Sequence, residues 1–198
     1  MKPAVARTST LAETLWPAQA EAGYRAFRLG LLALVGSLLI AVSAQFQVPM
    51  YPVPMTMQSF AVLAIGMAYG ARLGFATVLL YIAEGALGLP VFAGMKGGAP
   101  HLIGPTGGYL AGFALSALLV GWLAERGWDR SLLRTFAAMM AGKAVIFLFG
   151  VGWLASLIGL EKALALGFVP FIPGIVLKVA LAMAVLPGAW NLLGRRAG

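Results

Sequence analysis

Three ionisable side chains, Glu84, Lys143 and Lys178, stand inside long apolar runs of this chain. On insertion scales such a group costs on the order of 2.5–3.5 kcal/mol near mid-membrane, so each one marks a functional position by default. Lys178 follows Pro173-Gly174 and falls in the expected first turn of a helix, the end at which the macrodipole disfavours a cation. An anion held between that helix end and the ammonium group reconciles the charge with its place. Glu84 lies about one turn before a glycine-rich stretch. It reads either as a ligand contact or as a carboxylate that reaches the outer interface. Other chemistries lack their residues. The chain has no cysteine, so thiolate nucleophiles, disulfides and thiolate metal sites are excluded, and its one histidine, His101, has no partner pattern. No phosphate-binding glycine motif occurs. We therefore expect neither an enzyme nor a bound cofactor or metal.

The elements that position these groups follow from composition. With 61% hydrophobic and 10% charged residues among 198, the chain is expected to be an all-α integral membrane protein. Six apolar runs, at about 28–46, 56–71, 73–89, 105–124, 134–157 and 169–193, predict six transmembrane helices. The second and third are short and joined by Gly70-Ala71-Arg72-Leu73-Gly74, which predicts a tight helical hairpin. Basic residues favour the cytoplasmic side of short loops. With the N-terminus inside, Lys2, Arg7, Arg25, Arg28, Arg72, Arg126, Arg130, Arg134, Arg195 and Arg196 are all cytoplasmic, and only Lys96 and Lys162 fall in outer loops. Both termini are thus expected inside. The formal charge of +8 is read as topology, not as a nucleic-acid surface, because the basic residues occupy breaks between apolar runs. Three parts follow: an N-terminal segment 1–27, a membrane domain 28–193 and a basic tail 194–198. The first 27 residues hold no apolar core of a cleaved signal. Thr10-Leu-Ala-Glu13 has capping-box spacing, with Leu11, Leu15 and Trp16 on one face, which reads as a short interfacial helix or as a partly ordered tail.

Two outer loops are unusual. "QVPMYPVPMTMQ" carries Pro49, Pro52 and Pro54, which stiffen the backbone toward an extended strap. Its Met50, Tyr51, Val53, Met55 and Met57 suit an apolar lid, and equally a loop packed on the protein's own outer surface. The second loop, from Gly88 to Tyr109, has seven glycines and three prolines together with Phe92, Lys96 and His101. Irregular backbone at membrane depth is tolerated where it is buried in protein or lines a cavity. Both loops lie on one side and point to an outward-facing binding pocket.

The segments "VPMYPVPMTMQSFAVLAIG", "GARLGFATVLLYIAEGALGLPVFAG", "GPTGGYLAGF" and "VIFLFGVGWLA" closely resemble the BioY family, the biotin-specific S components of energy-coupling-factor (ECF) vitamin transporters. The resemblance runs from about Leu29 to Leu186. It implies the S-component fold, a site for biotin beneath the first outer loop, and partners in a transmembrane coupling subunit and two ATPase subunits. The setting it implies is a prokaryotic plasma membrane. For biotin, an apolar wall is expected from Tyr51, Phe92, Tyr109 and Trp153, ureido contacts from Gln58, Tyr81 and Glu84, and a carboxylate contact from Lys178 or Lys96. This chain departs from the family at two places. Ile175 stands where an Asp commonly follows the Pro-Gly, and Lys143 where an Asn is common. Lys178 is then the surviving half of an Asp/Lys pair.

Ala33, Ser37 and Ala41 recur every four residues along the first run, and small residues let helices approach closely in lipid. The stripe reads as packing within the subunit or as docking to a partner. The resemblance implies docking to the coupling subunit. The alternative function is a stand-alone secondary transporter for biotin or a similar small carboxylate, with Glu84 titrating through the cycle.

Overall fold

The structure is a computed structural model that describes residues 8–17 and 21–196. Lys2, Arg7 and the last two residues of the expected basic tail lie outside the described residues. The architecture is all-helical. After α1 (Leu11–Leu15) come α2 (Ala22–Gln45), a two-stranded ribbon of β1 (Gln47–Val48) and β2 (Met55–Thr56), α3 (Gln58–Tyr69) and α4 (Ala71–Ala86). The chain continues through α5 (Pro100–Ile103), α6 (Gly107–Ala124), α7 (Leu132–Ile158), α8 (Leu160–Gly167), a 3-10 turn (Val169–Phe171) and α9 (Ile172–Arg196). Thus α2 begins ahead of the expected boundary at 28, and α9 runs past 193 into the expected tail.

Four stretches, Ala22–Gln45, Gly107–Ala124, Leu132–Ile158 and Leu160–Leu193, are long and apolar enough to cross a membrane. Helix α6 forms the middle of the bundle, packed on α3, α4 and α7, and its apolar residues are buried almost all round. Peripheral α2 and α9 instead expose Leu34, Leu38, Val176 and Leu177. Such exposure in so apolar a chain suits lipid and not water.

Small residues set the helix spacing. The α3–α4 connection is a single residue, Gly70, whose φ of 84° favours glycine. Just beyond it, a Cβ on Gly74 would lie 2.8 Å from Gly66 Cα, so the hairpin packs backbone to backbone. The expected tight hairpin is present. Gly112 likewise brings α6 within 3.0 Å, measured from an added Cβ, of the Ile146 backbone on α7.

At the N-terminal end, the capping box on α1 is formed in both directions, Glu13 N–H donating to Thr10 Oγ1 (3.3 Å) and Thr10 N–H to Glu13 Oε2 (3.0 Å). Leu11 is buried and Leu15 exposed. Arg28 donates from Nη2 to the Ala12 carbonyl (2.8 Å), and Arg130 from its own Nη2 to the Ser9 carbonyl (3.1 Å). The segment is tied to the bundle.

The strap differs from the expected extended form. It folds back as a ribbon, Gln47 opposite Thr56 and Val48 opposite Met55, with Pro49, Pro52 and Pro54 in the intervening loop. Proline has no N–H to give to a ladder, so pairing is confined to the residues that flank the prolines.

Candidate functional site

The ribbon, the loop after α4, the N-terminal turns of α3, α6 and α9 and the middle of α7 line a chamber of about 50 Å³, which adjoins a vestibule of about 850 Å³. Pro54, Ala93, His101 and Thr106 line both spaces. The chamber has a polar floor and an aromatic wall.

The floor is built by β2 and the first turn of α3. Thr56, Gln58 and Ser59 reach it, and Lys178 arrives from the second turn of α9. Lys178 Nζ donates to the Thr56 carbonyl (2.6 Å) and lies 3.4 Å from Ser59 Oγ. Gln58 is fixed on both sides: Thr56 Oγ1 donates to its Oε1 (3.1 Å), while its Nε2 donates to the Tyr81 hydroxyl (2.6 Å). The Tyr81 hydroxyl in turn donates to the Val91 carbonyl (3.1 Å), which ties α3 and α4 to the glycine-rich loop.

The wall is aromatic because two elements converge. Tyr109 on α6 is anchored by its hydroxyl to the Gly167 carbonyl (2.7 Å), stacks on Phe171 at 6.3 Å between centroids and meets Phe147 edge-on. Across the chamber Phe92 lies between Tyr81, edge-on at 5.6 Å, and His101, stacked at 4.8 Å. Phe92 fits there because Gly85 of α4 lacks a Cβ, which would overlap its ring. Gln45 holds the loop, donating from Nε2 to the Phe92 carbonyl and accepting from Met95 N–H at Oε1, both at 3.1 Å.

His101 lies outside the membrane spans, and Thr106 Oγ1 is 3.1 Å from its Nε2. Burial, helped by the nearby Lys96 charge, holds its pKa below the ordinary imidazole value. Burial thus favours the uncharged ring, which offers a flat surface with one polar edge.

Of the residues expected at the site, Gln58, Phe92, Tyr109 and Lys178 meet in the chamber, and Tyr51 and Lys96 line the vestibule. Tyr51 is 87% exposed on the rim, so it is no part of the inner wall. Tyr81 stands behind Gln58, and Lys143 behind Ser59, donating to Ser59 Oγ at 2.7 Å. Trp153 is displaced outward: packed over Gly108 with its Nε1 on the Gly104 carbonyl (2.9 Å), it faces the periphery at 39% exposure. Glu84 points to α2, where Ser37 Oγ donates to it. That contact places one residue of the small-residue stripe inside the subunit. Ser37 is buried, and Ala33 and Ala41 are half-buried, because this side of α2 packs on α4. At the Pro173-Gly174 step Met55 of β2 packs over Gly174, and both residues line a side cavity of about 460 Å³ with Lys178.

Thr56, Ser59, His101, Thr106, Phe147 and Phe171 were not expected at the site. For Ser59 the signal was its place beside Gln58, at the start of an apolar helix. The two phenylalanines resemble any other core residue in an apolar run.

An aromatic chamber with a cationic floor, set in a bundle of apolar helices under a proline-rich strap, defines a membrane-embedded binding protein for a small molecule. Among the described residues, no group of three metal-binding side chains accompanies it. Residues 18–195 match the BioY family, and the chain belongs to it. A "Probable biotin transporter BioY" of Pyrococcus horikoshii is 42% identical over 147 residues, 74% of this chain and 86% of the relative. A "Biotin transporter BioY" of Thermotoga maritima is 41% identical over 148 residues, again 74% and 86%. The fold matches a crystal structure described as the S-component for biotin from an ECF-type ABC transporter, with a TM-score of 0.72, 22% identity, and coverage of 87% of this chain and 95% of that one.

Proposed function

We propose that this chain is the biotin-capturing membrane subunit of an ECF-type uptake system in a prokaryotic plasma membrane. Membership of a family whose relatives are named biotin transporters carries the reading. The chamber's chemistry supports it. Biotin has an apolar ring face, a ureido group that both donates and accepts, and a carboxylate. Phe92 and Tyr109 offer the wall, the remaining amide capacity of Gln58 suits the ureido group, and Lys178 holds the carboxylate at the floor. Lys96, exposed in the vestibule, draws the anion in.

Ligand pockets commonly occupy about 300–1,000 Å³, far more than the inner chamber alone. Biotin therefore fills chamber and vestibule together, and the strap closes over it as a lid.

Six helices, α2, α3, α4, α6, α7 and α9, cross the membrane, and both termini are cytoplasmic. The cytoplasmic weighting of Lys and Arg supports this orientation. α3 and α4 are short for lone spans, and as a buried hairpin they do not need the full length. A coupling subunit and two ATPases supply the energy, since this chain has no nucleotide-binding motif. The role is transport and not catalysis.

The test is uptake of labelled biotin in cells that express this chain with or without the coupling and ATPase subunits. Accumulation against a gradient is expected only with them. ATP-independent accumulation without them would identify a secondary transporter instead.

A further inference from the structure

Lys143 has no direct place in the chamber, yet it is 3% exposed, and among the described residues its one hydrogen-bond partner is Ser59. Lys178 Nζ lies 3.4 Å from the same oxygen. Two ammonium groups thus converge on one hydroxyl. None of the chain's six carboxylates serves them: Glu13, Glu84, Glu125 and Asp129 accept from other groups, and Glu21 and Glu161 are exposed. A buried cation without a counter-charge is costly, and a ligand anion supplies what the protein lacks.

A hydroxyl has two lone pairs and one proton. With two lysine donors at 2.7 and 3.4 Å to accept from, Ser59 keeps its O–H for a third partner, and Ser59 lines the chamber. We infer that Lys143 is a positioning residue which, through Ser59, turns the floor into a two-point carboxylate clamp made of the Lys178 N–H and the Ser59 O–H. The clamp makes the site selective for ligands with a free carboxylate over their neutral esters or amides. The inference rests on the reading of the chamber as the biotin site.

The experiment is equilibrium binding of biotin and biotin methyl ester to the purified full chain, as parent, Lys143→Met, Ser59→Ala and the double variant. Methionine keeps the length and apolar stem of lysine, and thermal melts report whether each variant folds. The preference for acid over ester is expected to fall about tenfold in Lys143→Met, with ester affinity unchanged. Adding Lys143→Met to Ser59→Ala should cost less than adding it to the parent, because the shared hydroxyl is already gone. An unchanged acid preference in Lys143→Met overturns the inference, as does strict additivity of the two substitutions. Should Lys143→Met not fold, an unchanged preference in Ser59→Ala overturns it alone. Absence of biotin binding in the parent would sink the functional reading itself.

Discussion

A single methyl group added at Gly174 tests whether the strap is latched to α9. A Cβ there would overlap Met55 Sδ, lie 3.6 Å from Met55 Cγ and come within 3.8 Å of Lys178 Nζ. Gly174→Ala therefore pushes on β2, and β2 carries the Thr56 carbonyl that receives Lys178 at 2.6 Å. Forcing an extra methyl group into a packed contact costs typically about 1–3 kcal/mol. The cost falls on the closed strap alone, because the lifted strap no longer touches Gly174. At about 1.4 kcal/mol per factor of ten, release of biotin should quicken roughly fivefold to a hundredfold. The assay is dissociation of labelled biotin from detergent-purified protein after dilution into excess unlabelled biotin. Met55→Ala in the same chain removes the overlapping sulfur and should slow release again. Unchanged release in Gly174→Ala, or a double variant as fast as the single one, would refute the latch.

Lys178→Met should weaken biotin binding by roughly ten- to a hundredfold, the loss of one charge-assisted hydrogen bond, and should spare the methyl ester by comparison in calorimetric titration. If the variant still separates acid from ester as the parent does, Lys96 holds the carboxylate. Ser37→Leu strips Glu84 of its partner at the α2–α4 contact, costs about 1–3 kcal/mol and lowers the melting temperature; a variant that melts like the parent but loses ATP-driven uptake would identify the stripe as a docking face. Asp129 is buried in the α6–α7 loop with its carboxyl pKa pushed up, burial outweighing the bond from Trp190 Nε1 (2.6 Å). The folded chain holds this proton to higher pH than the unfolded chain, so stability from this group is lost as pH rises from the ordinary carboxylate range through the raised value. Asn keeps a carbonyl for Trp190 and never ionises. The stability advantage of Asp129→Asn in thermal melts should therefore grow as pH rises toward neutrality, and a constant difference contradicts the assignment.

The helices were legible because apolar runs and glycine turns act locally. Gly70 ends α3 whatever packs around it, and the Thr10–Glu13 box caps α1 through neighbours three residues apart. Lys178 and Gln58 were legible for a related reason: polar groups stand out against an apolar background. What the sequence concealed was direction. Glu84 and Lys143 are equally conspicuous in their runs, yet one faces α2 and the other backs Ser59, a choice set by helix rotation against partners far away in the chain. The small-residue stripe shows the same ambiguity, since Ala33, Ser37 and Ala41 suit a neighbouring helix of the subunit as well as one from outside. Trp153 looked like wall material by type, and only the close approach of Gly108 turns it outward.

On the proposed function, this chain alone holds biotin in the chamber beneath the strap. Equilibrium binding of labelled biotin to the purified protein, with no coupling or ATPase subunit present, tests it most directly. Saturable binding of one biotin per chain is expected, competed far better by unlabelled biotin than by its methyl ester. Folded protein that binds no biotin, or binds acid and ester equally, would contradict it.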